Sequence, residues 1–413
     1  MVPDHWNEAP LGKLVERVIR PVTVEPNGLY QEIGIRSHGK GLFDKEPVRG
    51  FTLGDKRVFW VEPNCLVVNI VFAWEQAVGK TTEKDQGKIA SHRFPMFRPR
   101  PGRSDIDYLV YLFKTPYGKH LLNLASPGGA GRNKTLGQND FLKTIVRVPP
   151  FHEQIAIVRL LKTWERAIAT VEGLIENGDM GKRALTQKLI TGNERFRGFA
   201  STPWREITLK DIADIRTSNV DKKTDAGQIA VQLCNYTDVY YNRHITKGLS
   251  FMNATATQSE IERFTLQKGD VVITKDSESP EDIAVPALID EDLDGVLCGY
   301  HLALIRPRRN QADGEFLSNL FSLKKTQNYF FTHANGVTRF GLSIDTIREA
   351  AFRIPGIEEQ RRVAAVLRTS EQSISKYKKQ LVALKEQRTA LMQQLLTGKL
   401  RVASIASKEL ARA

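Results

Sequence analysis

Residues 353–398 read RIPGIEEQRRVAAVLRTSEQSISKYKKQLVALKEQRTALMQQLLTG. Between 357 and 397 there is neither Gly nor Pro, and apolar residues recur in alternating steps of three and four. One seam runs Leu367, Ile374, Leu381, Arg388, Leu395, and the other Val363, Ser370, Tyr377, Leu384, Leu391. That is the heptad pattern of a coiled-coil helix, with Lys and Glu left for a solvated face. Thr397-Gly398 follows the last seam leucine and reads as a helix stop, because Gly readily takes the left-handed conformation that ends a helix.

The same stretch occurs once before. Shifted by 206 residues, RVPPFHEQ (147–154) falls on RIPGIEEQ (353–360) and LITG (189–192) falls on LLTG (395–398). About 14 of 46 aligned positions are identical without a gap, several times chance, so the chain contains an internal repeat. The seams reappear as Leu161, Ile168, Ile175, Lys182, Leu189 and as Ile157, Trp164, Val171, Gly178, Leu185. Gly173, Gly178 and Gly181 weaken this first helix by about 1 kcal/mol each relative to Ala. Either packing against a partner helix offsets them, or the helix kinks near ENGDMG (176–181). Lys182 and Arg388 hold equivalent seam positions. The simpler expectation is that both snorkel out of the seam; the other is that they set register or touch a partner subunit. Further upstream, WNEAPLGKL (6–14) resembles WREITLKDI (204–212). Each half therefore reads as a Trp-led start, a variable body, Arg-x-Pro, Glu-Gln and a long helix ending in Thr-Gly.

The two bodies barely resemble each other in sequence. Both carry β-type runs broken by Gly, Pro, Asn and Asp, such as VVNIVFAW (67–74) and KGDVVITKDSESPEDIAVPALI (268–289), and both read as α+β. Four segments result: a body at 1–149, a helix at 150–197, a second body at 198–355, and a helix with a tail at 356–413.

The chain has 413 residues, a net charge of +13 and a pI near 9.5. That excess favours a polyanionic partner, and nucleic acid is the usual one. The apolar run at 65–74 is too short to span a membrane. MVPDHWNEAP lacks a basic and an apolar leader region, so a cytoplasmic location is expected. Cys65, Cys234 and Cys298 form no CxxC pair, which points to a reducing compartment without a disulfide framework or a zinc site.

Motifs for chemistry of its own are incomplete. VGKTT (78–82) resembles the end of a phosphate loop, but that loop needs a glycine where Trp74 stands. VPPF (148–151) resembles half of the adenine methyltransferase loop, with Val148 where an amide or carboxylate is needed. Asp221-Lys222-Lys223 is a bare Asp-x-Lys, insufficient for a nuclease. The histidines show no paired metal-ligand spacing. No cofactor and no catalytic residue is assigned.

With its two Pro-x-x-x-Glu-Gln starts and Leu-x-Thr-Gly finishes around long helices, the chain resembles the specificity subunits of type I restriction–modification systems over essentially its whole length. The resemblance implies two target recognition domains, separated by two conserved spacer helices that pack as an antiparallel coiled coil in a pseudo-two-fold repeat. It also implies a non-catalytic subunit that reads a bipartite double-stranded DNA sequence. Its partners would be two modification (methyltransferase) subunits, and restriction subunits that join the same assembly. Departures from the repeat occur at Gly356-Ile357, where the first copy has Pro150-Phe151, and at the three helix glycines.

Base and phosphate contacts call for Arg, Lys, Asn, Gln, Tyr, His or Ser on loops. In the first body the candidates are Arg36, Ser37, His38 and Lys40, then Lys80, Lys84 and Lys88, then His92 and Arg93, and finally Arg132 and Lys134. In the second body they are Asn235, Tyr236, Tyr241, Asn242, Arg243 and His244, then Lys275 and Ser277, then Tyr300 and His301, and finally Arg339. Each of them taken singly also suits a solvated surface. Two other readings compete: a nuclease or methyltransferase in its own right, which lacks a motif, and a coiled-coil scaffold or other DNA-binding protein outside restriction–modification, which leaves the two unlike basic bodies unexplained.

Overall fold

The computed structural model describes residues 5–128 and 134–402. The chain forms two compact units, one of residues 1–172 with 379–413 and one of residues 173–378. Each unit holds one β-rich body, the start of the helix that follows it, and the end of the other helix.

Unit 1 is built on an antiparallel four-stranded sheet in the order Val15–Val18, Met96–Pro99, Leu66–Val68, Val78–Lys80. Unit 2 repeats the same order in a five-stranded sheet of Ala213–Thr217, Leu302–Pro307, Val271–Thr274, Pro286–Ile289 and His244–Ile245, the last strand parallel to its neighbour. Val15 faces Pro99 in the first sheet and Ala213 faces Pro307 in the second. The bodies thus share a topology that their sequences conceal, since a strand asks only for apolar and β-branched residues on its buried face. A second, three-stranded sheet of Met252–Ala256, Ile229–Cys234 and Val296–Cys298 belongs to unit 2.

The Trp-led starts have a structural reason. Asn7–Pro10 pairs antiparallel with Ile145–Val148, and Arg205–Thr208 pairs likewise with Ala351–Ile354. In each unit the first strand of the body is thereby tied to the strand that leads into the long helix.

The first long helix spans Phe151–Ile190 and the second Ile357–Leu396. Helical hydrogen bonding runs uninterrupted through 176–181, so the glycines do not break the first helix. Val171, Leu189 and Ile190 of that helix are buried. Burial of such side chains stabilises by roughly 1.5–3 kcal/mol each, which outweighs the glycine deficit. Gly178 has its own reason: a Cβ there would stand 3.0 Å from Ile374 Cγ1 of the facing seam. At Gly173 and Gly181 a Cβ would meet nothing within 4 Å.

Ion pairs fix the helix direction within each unit. In unit 1 Arg388 reaches Glu165 at 2.5 Å and Lys385 reaches Glu172 at 2.7 Å. In unit 2 Lys182 reaches Glu371 at 2.9 Å and Lys378 reaches Asp179 at 3.4 Å. Numbers rise on one helix as they fall on the other, so the packing is antiparallel in both. The expectation that Lys182 and Arg388 snorkel into solvent is corrected here. Their side chains are only 18% and 22% exposed, and each pairs with the repeat-equivalent glutamate of the facing helix. A paired charge at a seam costs less to desolvate than a free one and fixes register.

The two Glu-Gln signatures do the same work twice. Gln154 accepts from the Asp105 amide at 2.9 Å and donates to the carbonyls of Pro149 and Arg103. Gln360 accepts from the Asp313 amide at 3.0 Å and donates to Pro355 and Gln311. Asp105 and Asp313 in turn cap the helices Ile106–Phe113 and Gly314–Phe321, each accepting from the amide three residues on. The fully buried glutamine thus pins a body helix to the start of the long helix. Gly192 and Gly398, at φ 74° and 72°, stop the long helices in the left-handed conformation. At the first of these stops a Cβ would come within 3.0 Å of the Trp204 ring.

Candidate nucleic-acid interface

In unit 1 the strands Ile33–Arg36 and Gly41–Asp44 form a hairpin whose tip carries Ser37, His38, Gly39 and Lys40. His38 (φ 59°), Gly39 and Gly41 all have positive φ, so the backbone turns tightly. Arg36, His38 and Lys40 are exposed there. Phe43 holds the Arg36 guanidinium 4.6 Å from its ring centre, and Ser37 donates to Glu75 at 2.9 Å. Lys84 and Arg93 are also exposed, His92 is half-buried, and Lys134 lies 5.9 Å from the ring centre of Trp74. Arg132 falls outside the described residues. Lys80 sits at the end of a strand and pairs with Asp107 at 2.9 Å, while Lys88 pairs with Asp44 and Asp85. VGK is therefore a strand, not a phosphate loop.

In unit 2 five candidates converge. Tyr236, Tyr241, Ser277, His301 and Arg339 line one open hollow of about 580 Å³. Tyr236 and Tyr241 lie on the short helix Tyr236–Tyr241, which Asn235 caps through a reciprocal bond with Asp238. Asn242 closes the same turn by donating to the Asp238 carbonyl. Ser277 belongs to the strand Asp276–Ser277, and His301 to the turn before Leu302–Pro307. Tyr240 stacks on Tyr236 and meets Tyr241 edge-on, and Tyr241 is 77% exposed. Lys275 binds Asp276 at 2.7 Å and lies 5.8 Å from the ring centre of the exposed Tyr300.

Sequence reasoning missed Tyr240, Asp276, Glu278 and Asp282, which line the same hollow. A signal was present, because DSESPED (276–282) is acidic and directly follows a strand. A search for cationic and amide readers passes over acceptors, although carboxylates read base edges too.

Arg243 and His244 turn instead toward the long helices. Arg243 pairs with Glu371 at 3.1 Å and donates to Asn319 at 2.5 Å. His244 lies 3.3 Å from Asp290 and 3.5 Å from Glu371. His244, Asp290 and Glu315 bring ligand atoms within 4.8 Å of one another, as a metal site would. Arg368 already fills the cation's place, with Nη1 2.6 Å from Asp290 and 2.8 Å from Glu315. Unit 1 has the counterpart at the repeat-equivalent positions, where Lys162 pairs with Asp107 and Tyr111 donates to Glu165 at 2.8 Å. These networks bind body to helix, and no catalytic constellation emerges from them. The three cysteines are buried, and burial pushes the Cys65 thiol up to about 12.

Among the described residues no helix is long and apolar enough to cross a membrane. Residues 202–385 match the family described as type I restriction modification DNA specificity domain. Two relatives come from Methanocaldococcus jannaschii. The putative type I restriction enzyme MjaX specificity subunit is 22% identical over 47% of this chain and 45% of its own length. The type I restriction enzyme MjaVIII specificity subunit is 21% identical over 63% of both. The matched regions thus span less than two thirds of either relative. Among solved structures, the HsdS subunit from Thermoanaerobacter tengcongensis superposes with a TM-score of 0.57 at 16% identity, covering 97% of this chain and 98% of that one. The type I S subunit from M. genitalium gives 0.53 at 15% identity, over 95% and 96%. Those two share the fold: β-rich bodies and two long packed helices. Residues 202–385 thus match the type I restriction modification DNA specificity domain, and the chain shares its fold with solved specificity subunits.

Proposed function

We propose that this chain is the DNA specificity subunit of a type I restriction–modification complex, non-catalytic in itself, and that its two bodies each read one half of a bipartite double-stranded DNA target. The observation that carries this reading is the duplicated anchorage. Two unlike bodies are fixed to one helix pair by matching contacts, Gln154 with Asp105 and Gln360 with Asp313. Holding unlike surfaces on a repeated frame serves a target whose halves differ in sequence. The net charge of +13 suits the phosphate contacts that give such binding most of its strength. The segments 1–149 and 198–355 are the recognition domains, and 150–197 and 356–413 carry the spacer helices. The solvated faces of those helices dock two modification subunits, which supply the methyl-transfer chemistry, and restriction subunits complete the assembly. Modified bases mapped in DNA from cells with and without this protein test the reading. The expected result is a two-part adenine-methylated motif that disappears with the protein. An unchanged methylation pattern overturns it.

A further inference from the structure

The hollow of unit 2 is lined by hydrogen-bond acceptors whose own positions are fixed. Asp276 binds Lys275 at 2.7 Å and faces His301 Nδ1 at 3.1 Å. A carboxylate only accepts, so the tautomer protonated on Nδ1 fits Asp276, and in that tautomer Nε2 presents a lone pair. Nε2 makes no hydrogen bond among the described residues. Tyr240 donates its hydroxyl proton to Asp282 Oδ1 at 2.9 Å, and that bond pushes the phenol up, which keeps it a donor. Asp282 Oδ2 is left over. Glu278 adds an exposed carboxylate, against a single guanidinium, Arg339, on the same lining.

The backbone at His301 points the same way. Its φ of 71° is one that a non-glycine residue rarely adopts. The bond to Asp276 and the edge-on contact with Tyr300, at 4.3 Å between ring centres, hold it there.

With Asp276 paired to Lys275, Asp282 and Glu278 still outnumber Arg339 on the lining, so the hollow favours donors over phosphate oxygens. It suits the edge of a base. In the major groove cytosine N4 and adenine N6 offer amino donors, whereas thymine O4 and guanine O6 offer lone pairs that another acceptor repels. We propose that this hollow selects an amino-bearing base, cytosine or adenine, in the half-site read by unit 2, with His301 Nε2 and Asp282 as the acceptors and the exposed Tyr241 at the rim. The inference rests on the reading of the chain as a DNA specificity subunit.

The test uses the full chain in the complex recovered from its cells, with duplexes selected from a randomised pool. His301→Asn keeps a residue that tolerates positive φ but removes the ring, and Asp282→Asn turns a pure acceptor into a donor and acceptor of the same shape. The wild type is expected to prefer an amino-bearing over a keto-bearing base by about tenfold at one position of one half-site. Either variant should cut that ratio to about threefold or less while the other half-site stays as it was. Thermal melting of each variant shows that it is folded, and Glu278→Gln, on an exposed side chain, supplies a third substitution. Wild-type selection of a two-part sequence that all three variants reproduce unchanged overturns the inference alone. A wild type that selects no two-part sequence overturns both this inference and the function it rests on.

Discussion

At the scale of single residues, the repeat is held by side chains that neither packing nor charge balance would single out. Gln154 and Gln360 are fully buried, and each satisfies one amide and two carbonyls. Truncation leaves those groups without partners. Gln154→Ala should therefore destabilise unit 1, and Gln360→Ala unit 2, by about 1–3 kcal/mol each, read by chemical denaturation. A loss under about 0.5 kcal/mol would show that water replaces the side chain. Glu371 makes a second prediction. Burial works to raise its carboxyl, but the hydrogen bond from His244 and the charges of Arg243 and Lys182 prevail and hold it at about 2, against an ordinary 4.5. A group depressed in the folded state gives stability that is present above its unfolded value and is lost as pH falls through its folded value. Unit 2 should thus lose stability between about pH 4.5 and 2. Glu371→Gln should be the less stable protein at pH 7 and match the wild type near pH 2. Parallel stability curves for the two proteins across that range would remove Glu371 as the cause.

At the scale of elements, the two long helices were the most legible part of the sequence. Heptad spacing, the absence of Gly and Pro from 357–397 and a glycine stop all report local backbone requirements that a single strand of text carries. The seam residues Leu161, Leu189, Val363, Leu367, Ile374 and Leu395 are indeed buried. The common sheet order of the bodies was hidden, because topology depends on long-range pairing that apolar runs do not specify. The glycines of the first helix divide in a way only the structure reveals. At Gly173 and Gly181 an added Cβ meets open space, so Gly173→Ala and Gly181→Ala should each stabilise by up to about 1 kcal/mol through helix propensity. At Gly178 the same change brings a Cβ to 3.0 Å from Ile374 Cγ1, so Gly178→Ala should gain less than the other two or lose stability. Thermal unfolding of the three single variants ranks them. A gain at 178 equal to the others would mean that the seam gives way freely there.

At the scale of the whole molecule, the repeat makes each body a separable cassette on a shared helix frame, and this has a testable consequence. Both strands that close the second body, Arg205–Thr208 and Ala351–Ile354, lie inside 198–355, so an exchange with these bounds moves a complete sheet pair. An exchange ending near 345 would part the two strands and strand four residues of paired backbone. The incoming body must still cover the helix residues Leu189, Ile190, Val363, Ala364 and Leu367, which share one core with Leu209, Phe316 and Ile347. It must also present a capping Asp to Gln360, as Asp313 does. These demands are local to unit 2, because the first body has its own core with Ile157, Leu161, Leu395 and Leu396. What the sequence left illegible, the side chains proposed to read DNA, is the part such an exchange replaces. Hollow-lining residues come from the distant segments 236–241, 276–282, 301 and 339, and only folding brings them together. Replacing 198–355 by the corresponding body of another specificity subunit should therefore change one half of the methylated motif and leave the other half and its strength intact, as read by mapping modified adenines. A change in both halves would mean that the two bodies do not read DNA independently, and the cassette description of this molecule would fail.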